Sequence, residues 1–271
     1  AKQEDNALAQ EYLLLANSLN VMAKRLDAAI KELEGANQKL KEDMEHITEL
    51  SRQRRNFFAA ASHELKTPIT ILKGQIESMI MGIGSYKDTK KVLPETLKEV
   101  ENMERLVKEI LAISKIEMDG MARKTEKFSI SAVLVEVTKS LDPLATERKI
   151  AITQNIAPDI FVCGNQSLIE KTLHNIVNNA IRHSPMGAEV FVDLTEQKLL
   201  VRNTNAAIPV EDLSLIFTPF YRVEKSRNKA TGGSGLGLYL VATILELHGL
   251  PYRIENVENG VEFSIDLNSE I

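Results

Sequence analysis

The chain has 271 residues and a hydrophobic fraction of 44%, which is enough for one large domain or two ordinary domains with a core each. Its formal net charge of −5 disfavours nucleic-acid binding, because backbone binding requires clustered Lys and Arg. The only cysteine, Cys163, excludes a disulfide framework and favours a reducing compartment; we expect this residue to be buried and not to act as a nucleophile.

No run of about eighteen apolar residues and no signal peptide is found, so the sequence as given is not expected to cross a membrane. Because Ala1 already stands within an expected helix, we expect a fragment whose upstream part is missing. Any membrane attachment is then expected only through that N-terminal segment.

A long helix is predicted from the first residues as far as Met81. Its early apolar residues alternate in steps of three and four, as in the seam of a coiled coil, at Leu8, Tyr12, Leu15, Leu19, Met22, Leu26, Ala29, Leu33, Ala36 and Leu40. The next step, from Leu40 to Met44, repeats a spacing of four and forms a stutter, which locally unwinds a supercoil. The stutter is either a place to transmit torsion or a feature of an irregular coiled coil with no signalling role.

Further along this helix, a histidine stands beside a carboxylate. His63 and Thr67 share one helix face, and Glu64 can reach the edge of the imidazole. Pro68 has no N–H to donate to the Glu64 carbonyl, so we expect the helix to loosen there. An apolar stripe turns His63 outward and comprises Phe58, Ala61, Leu65, Ile69, Leu72, Ile76 and Met79. The arrangement indicates a nucleophile with its base; the alternative is an ordinary surface histidine on a bundle helix.

A second helix is predicted to complete a hairpin. The glycines at 82 and 84 end the first helix, and the second runs from about Leu93 to Met118. The two apolar stripes are more surface than two helices can hide from water. A symmetric four-helix dimer is therefore predicted.

After Thr125 the pattern changes to alternating strands and helices. Strands are predicted at 150–153, 159–162, 190–194, 199–202, 252–255 and 261–267, and helices at 166–182 and 236–248. This order favours a mixed sheet covered by helices on one face. A parallel doubly wound sheet fits less well, because the hairpins need antiparallel pairing.

Two asparagines lie on one face of the 166–182 helix. Asn175 and Asn179 are four residues apart, and basic Arg182 and His183 follow. Amide oxygens suit Mg²⁺, and asparagine is otherwise disfavoured in mid-helix. For either asparagine alone, capping of a neighbouring backbone group is the plain alternative.

A glycine-rich loop leads directly into the last predicted helix. With no side chains at Gly233, Gly235 and Gly237, backbone N–H groups at a helix start form a cradle for phosphate. The loop lacks the Lys-Ser/Thr of a P-loop and the spacing of a dinucleotide fingerprint.

The segment before this loop, residues 205–234, is long and polar in its second half, as mobile lids often are. Phe220 stands in an aromatic run that would anchor such a lid. Arg222 and Arg227 would reach a phosphate from it.

In order along the chain, His63-Glu64-Leu65-Lys66-Thr67-Pro68, the asparagine helix and the glycine loop resemble bacterial sensor histidine kinases with a large dimerising helix. The runs 57–64 and 219–222 resemble in particular the glycopeptide-resistance sensors. The resemblance implies an α+β fold: a long coiled coil and a helical-hairpin dimerisation domain, a four-helix bundle in the dimer, followed by an α/β sandwich ATP-binding domain of the GHKL type. The implied domains are the end of a HAMP-like segment at 1–30, a signalling coiled coil at 31–51, a phosphotransfer hairpin at 52–120 and a catalytic domain at 125–271.

The resemblance also implies the role of each residue. His63 is the phosphoacceptor, Glu64 its acid/base partner, and Thr67 positions water in a phosphatase reaction on a partner. Asn175 and Asn179 hold the triphosphate and Mg²⁺, with Asn179 as the metal ligand. The remaining nucleotide-binding residues implied are Arg182, His183, Asn203, Phe220, Arg222, Arg227, Gly233, Gly235, Leu236 and Gly237.

One box departs from the family pattern. Where such kinases have Asp-x-Gly-x-Gly to bind the adenine amine, residues 203–207 read Asn-Thr-Asn-Ala-Ala. Asn203 keeps one acceptor oxygen but has no charge. The expected activity is phosphorylation of His63 by ATP with Mg²⁺ and transfer to a response-regulator aspartate, by a homodimer that forms the cytoplasmic portion of a bacterial membrane protein. The alternatives are a degenerate pseudokinase scaffold and a GHKL ATPase that would not need His63 and Glu64.

Overall fold

The computed structural model describes residues 2–119, 125–223 and 233–267. The chain divides into two compact units, residues 1–59 and 60–271. The α-helices are α1 (Lys2–Met81), α2 (Thr89–Asp119), α3 (Ile130–Glu147), α4 (Gln166–Arg182) and α5 (Gly237–Leu247). The strands are β1 (Glu126–Ser129), β2 (Ala151–Ile156), β3 (Phe161–Gly164), β4 (Glu189–Leu194), β5 (Lys198–Thr204), β6 (Tyr252–Val257) and β7 (Gly260–Asp266). In the described ranges, short 3₁₀ helices occupy Gly84–Lys87 and Val210–Asp212.

The first unit consists of the N-terminal part of α1, which is helical as predicted. Exposed pairs along it, such as Gln38 with Glu42 and Arg52 with Glu49, are surrounded by water and add little to its stability. Seam residues whose side chains are described are exposed, namely Leu19, Met22, Leu26, Leu33, Leu40 and Met44. Because helical stability in proteins comes mostly from packing an apolar face, this seam needs a partner to bury it. None of the described helices is both long and apolar enough to span a membrane.

In the second unit, α1 ends at Met81 as predicted. Gly82 adopts a φ of +61° and its N–H donates to the Met79 carbonyl, a conformation that glycine favours at helix ends. The expected loosening at Pro68 is not seen as an interruption, since α1 is continuous through this residue. Helix α2 begins at Thr89, before the predicted Leu93, because the Asp88 carbonyl accepts the first N–H groups of the turn.

The five-stranded sheet of the second unit is mixed, as predicted. Its strand order is β2-β4-β5-β7-β6; β2 and β4 are parallel, and the other pairs are antiparallel. Alternate residues of β4 and β5 are buried, which confirms that helices cover one face. Helix α4 lies centrally on that face and packs against α3, α5 and β5. The buried core includes Leu134, Leu173, Ile181, Val190, Leu199 and Ile244.

Three features of this region differ from the sequence analysis. Helix α3 was not predicted, although the Ser129 hydroxyl caps it by accepting the Ala132 N–H at 3.2 Å. Strand β3 does not join the large sheet but pairs with β1, which was also not predicted. The prediction that Cys163 is buried is wrong: side chains alternate along a strand, and Cys163 and Phe161 are both exposed.

Candidate nucleotide site

A cavity of about 1150 Å³ lies between α4, the start of α5 and the end of β5, and α2 contributes to its wall. Most of the nucleotide-binding residues expected from the sequence line this cavity, namely Asn175, Asn179, Arg182, His183, Asn203, Arg222, Gly233, Gly235, Leu236 and Gly237. The fold thus brings together residues that are far apart in the sequence.

The two asparagines of α4 have different surroundings. The Asn175 amide donates to the Lys171 carbonyl at 2.8 Å, and its oxygen would lie 3.1 Å from a Cβ placed on Gly237. The Asn179 side chain forms no hydrogen bond with the residues that the structure describes. Asn179 is therefore the asparagine whose whole amide is available to a ligand, whereas the Asn175 amide has its nitrogen engaged with Lys171.

The glycine loop is held by backbone contacts. Gly235 has a φ of +75°, and a Cβ there would lie 2.7 Å from the backbone carbonyl carbon of Phe220. Phe220 itself has a φ of +64°, and its N–H donates to the Gly235 carbonyl at 3.0 Å. Glycine at 235 is thus required by both conformation and space.

The remaining lid predictions differ in outcome. The ring of Phe220 is not part of the cavity wall, and the contribution of this residue is the backbone support of Gly235. Gly233 has nothing within 4 Å of a Cβ, so the structure gives no steric reason for glycine there. Arg227 lies outside the described residues.

A carboxylate from α2 reaches the start of α5. The Ser234 hydroxyl donates to the Glu109 carboxylate and accepts the Leu236 N–H at 3.2 Å. A negative charge therefore stands close to the N–H groups that would hold phosphate. Arg105 and Lys108, also on α2, line the same cavity.

Positive charge is concentrated on the cavity wall. Desolvation, followed by the charges of Arg105 and Arg148, lowers the pKa of Arg182. Desolvation, followed by Arg148, Arg182 and Arg222, lowers the pKa of His183. Since the cations disfavour one another's protonated forms, an anionic ligand would relieve this repulsion. The wall suits a polyanion such as a triphosphate.

Asn203 lies on β5, lines the cavity and is 4% exposed. Its Nδ2 donates to the Ser184 hydroxyl at 3.0 Å, while its Oδ1 has no partner among the described residues. A Cβ on Gly260 would lie 1.9 Å from the Asn203 backbone oxygen, so the pairing of β7 with β5 requires glycine there.

His63, Glu64 and Thr67 lie outside the wall of this cavity. His63 is exposed, with its Nδ1 3.7 Å from a Glu64 carboxylate oxygen, and the Thr67 hydroxyl donates to the His63 carbonyl at 3.5 Å. None of these three residues lines the cavity. The exposed imidazole is open to an incoming reactant.

A magnesium ion fits the cavity only as part of a metal–phosphate complex. The described ranges hold no group of three His, Cys, Asp or Glu side chains placed to bind a metal. Mg²⁺ bound through phosphates keeps several waters and needs only one or two protein ligands. The Asn179 amide, which has no partner among the described residues, would supply one such ligand.

Ser184, Ser234 and Glu109 were missed by the sequence analysis. Each acts through a contact with a residue distant in the chain, and no periodic pattern indicates such pairs. A small hydroxyl residue directly after Arg182-His183 was the only signal for Ser184.

Two parts of the chain match known domain families. Residues 164–271, which include α4 and the glycine loop, match the family described as histidine kinase-, DNA gyrase B- and HSP90-like ATPases. Residues 53–119, which include His63, match the His kinase A (phospho-acceptor) domain.

Two curated relatives extend this match along the chain. Sensor protein VanSB of Enterococcus faecalis is 33% identical over 257 residues, covering 93% of this chain and 56% of the relative. Sensor histidine protein kinase HK06 of Streptococcus pneumoniae is 31% identical, covering 97% of this chain and 57% of the relative. The chain thus spans a little over half the length of these relatives, and it belongs to the bacterial sensor histidine kinases.

Solved structures agree on the fold. Histidine kinase AdeS of Acinetobacter baumannii superposes with a TM-score of 0.57 at 25% identity, covering 76% of this chain and 98% of that one. Histidine kinase ThkA, in a crystal structure with response regulator TrrA, gives a TM-score of 0.58 at 24% identity and covers 78% of this chain and 60% of the other. Both support a helical N-terminal region followed by a GHKL-type ATPase domain.

Proposed function

We propose that this chain is an ATP-dependent protein histidine kinase that phosphorylates His63 and passes the phosphoryl group to an aspartate of a response regulator. The observation that carries the proposal is an exposed His63–Glu64 pair on the same chain as a basic, glycine-walled cavity of nucleotide size. Incorporation of label from γ-labelled ATP tests it.

The histidine supplies the nucleophile. Its Nδ1 edge faces Glu64, so Nε2 is the atom free to attack the γ-phosphorus. The N–P bond forms as the bond between the γ-phosphorus and the bridging oxygen breaks, and ADP leaves. Glu64 accepts the hydrogen bond from Nδ1–H and takes up the proton that the imidazole loses.

The cavity positions the donor nucleotide. The basic side chains of Arg182, His183 and Arg222 would face the phosphates. The resemblance gives Arg227 the same role. The loop around Gly235 would present its N–H groups to the phosphates. Mg²⁺, when bound with the phosphates through Asn179, would neutralise developing charge. Positioning and charge neutralisation would then supply most of the catalysis.

We propose a homodimer as the working form. Large apolar side chains remain exposed on the hairpin helices α1 and α2 at Ile69, Ile76, Ile80, Leu93, Leu97, Val100 and Leu111. A second copy would bury them in a four-helix bundle, and the seam of the first unit would be buried in the same dimer. The response regulator as partner is supported by the ThkA–TrrA complex. A HAMP-like N-terminal segment, a cytoplasmic location next to a membrane, and membership of the glycopeptide-resistance sensors remain predictions.

A pseudokinase scaffold is the alternative that one observation favours, namely the neutral Asn203 with no glycine at 205 and 207. Such a scaffold would bind nucleotide weakly and leave His63 unlabelled. A GHKL ATPase would hydrolyse ATP without needing His63.

Thr67→Ala is expected to retain labelling of His63 but to lose most dephosphorylation of the regulator. The hydroxyl, one turn from His63, would orient a water for that reaction and has no part in attack on ATP. The two activities are measured separately, by label incorporation and by loss of label from phosphorylated regulator. Thr70→Ala, an exposed threonine with a similar bond to the Lys66 carbonyl, is the control. Equal loss of both activities in Thr67→Ala would indicate a structural role beside Pro68.

Glu109→Gln is expected to tighten ATP binding by about two- to fivefold, the range that one charge near a helix terminus contributes. Glutamine keeps an acceptor for the Ser234 hydroxyl and removes the negative charge next to the phosphate cradle. Glu101→Gln, an exposed change elsewhere on α2, is the matched control. Calorimetric titration with ATP measures both; unchanged or weaker binding in Glu109→Gln would show that the carboxylate does not oppose the phosphates.

A further inference from the structure

Ser184 is a buried serine just beyond the end of α4, with an exposure of 2%. Its hydroxyl donates to the Ala180 carbonyl at 2.5 Å. A carbonyl only accepts, so the single hydroxyl proton is committed to Ala180. The side of the oxygen that faces β5 therefore presents lone pairs.

These lone pairs fix the direction of the Asn203 amide. The Asn203 Nδ2 donates to the Ser184 oxygen at 3.0 Å. The reversed amide would set its own oxygen against that of Ser184 with no hydrogen between them, a costly arrangement for two buried polar atoms. The Asn203 Oδ1 is thus directed away from Ser184, and it has no partner among the residues described.

We propose that Ser184 is a positioning residue that makes the cavity selective for a nucleobase presenting an amine, by holding Asn203 as a hydrogen-bond acceptor. The inference rests on the proposed function, in which this cavity binds ATP, and names how its base is chosen. Adenine presents an amine where guanine presents a carbonyl. An amide that turned freely would serve either base, whereas a carboxylate would accept without needing a partner to orient it.

The backbone of Ser184 is held independently of its side chain. A terminal nitrogen of Arg148 donates to the Ser184 carbonyl at 3.2 Å. Removal of the hydroxyl therefore leaves the end of α4 anchored, and Asn203 loses its constraint.

The experiment measures the Kd of ATP and of GTP, each with Mg²⁺, by calorimetry on the whole chain. The variants are Ser184→Ala, Ser184→Thr, Asn203→Asp and the double variant Ser184→Ala/Asn203→Asp. Ser184→Ala is expected to lower the preference for ATP over GTP by about tenfold, the loss of one oriented hydrogen bond. Ser184→Thr keeps the hydroxyl and is expected to keep the preference.

The aspartate background provides the decisive comparison. Asn203→Asp is expected to tighten ATP binding by up to about tenfold, with a smaller gain for GTP, because the Ser184 hydroxyl can turn its proton from the Ala180 carbonyl to the carboxylate and hydrogen bonds to a charged acceptor are stronger. In that background, removing the Ser184 hydroxyl is expected to change the preference by less than about twofold, since a carboxylate offers only acceptors. If Ser184→Ala changes the nucleotide preference only when residue 203 is asparagine, the hydroxyl acts by orienting the amide. A general structural role would change the preference in both backgrounds.

An unchanged preference in Ser184→Ala, or equal weakening of both nucleotides, would overturn the inference. If the parent chain binds neither nucleotide, the proposed function itself is wrong, a distinguishable result. Melting curves report whether each variant folds. Should Ser184→Ala not fold, Ser184→Cys, with a thiol that accepts weakly, makes the same comparison.

Discussion

His63→Gln is expected to abolish autophosphorylation while leaving ATP affinity within about twofold of the parent. Glutamine has no imidazole nitrogen to form the N–P bond. His63 does not line the cavity, so nucleotide binding has no reason to change. The measurements are label incorporation from γ-labelled ATP and a calorimetric titration on the same preparation.

The matched control for this change is Lys73→Gln. Lys73 lies on α1 and forms only an exposed pair with Glu77 at 3.7 Å, so its loss is expected to leave labelling unchanged. Label that still enters His63→Gln would mean that another residue is the phosphoacceptor.

Asn179→Ala is expected to reduce phosphotransfer by at least about tenfold, because loss of even an outer-shell partner of a metal ligand costs about ten- to a hundredfold. The Asn179 amide lines the cavity without a described partner, which leaves it available to Mg²⁺. Asn179→Asp keeps an oxygen ligand and is expected to retain more activity than the alanine variant. Initial rates of His63 labelling over a Mg²⁺ titration measure the effect.

Asn155→Ala, on the exposed side of β2, controls for the loss of an asparagine. It is expected to label His63 at the rate of the parent at every Mg²⁺ concentration. If Asn179→Ala matches the parent at every Mg²⁺ concentration, Asn179 is an ordinary residue of the α4 surface. The glycine cradle would then hold the phosphates without a metal contact from α4.

Elements with strong local signals could be predicted from the sequence. Helix α4 begins and ends where predicted, because Asn165 caps it and its apolar positions repeat at helical spacing. Gly82 ended α1 as predicted for the same kind of local reason. Helix α3 was missed although Ser129 caps it, since Pro143 within it reads as a break in the helical pattern.

Contacts between distant residues could not be predicted in this way. The Glu109–Ser234 bond joins residues that are 125 positions apart, and the Ser184–Asn203 bond joins the segment after α4 to β5. Both depend on how helices and strands pack, which hydrophobic periodicity does not specify. Asn203 illustrates the difference: the sequence identified it as a departure from an aspartate, but only the fold revealed what orients its amide.

The acid–base stability of the label tests the central claim most directly. The chain is incubated with γ-labelled ATP and Mg²⁺, and the labelled protein is divided between acid and base. A phosphorylated imidazole loses its phosphoryl group in acid and keeps it in base, so the account predicts acid-labile, base-stable label that is absent from His63→Gln. Acid-stable label, or consumption of ATP with no label on the protein, would contradict it.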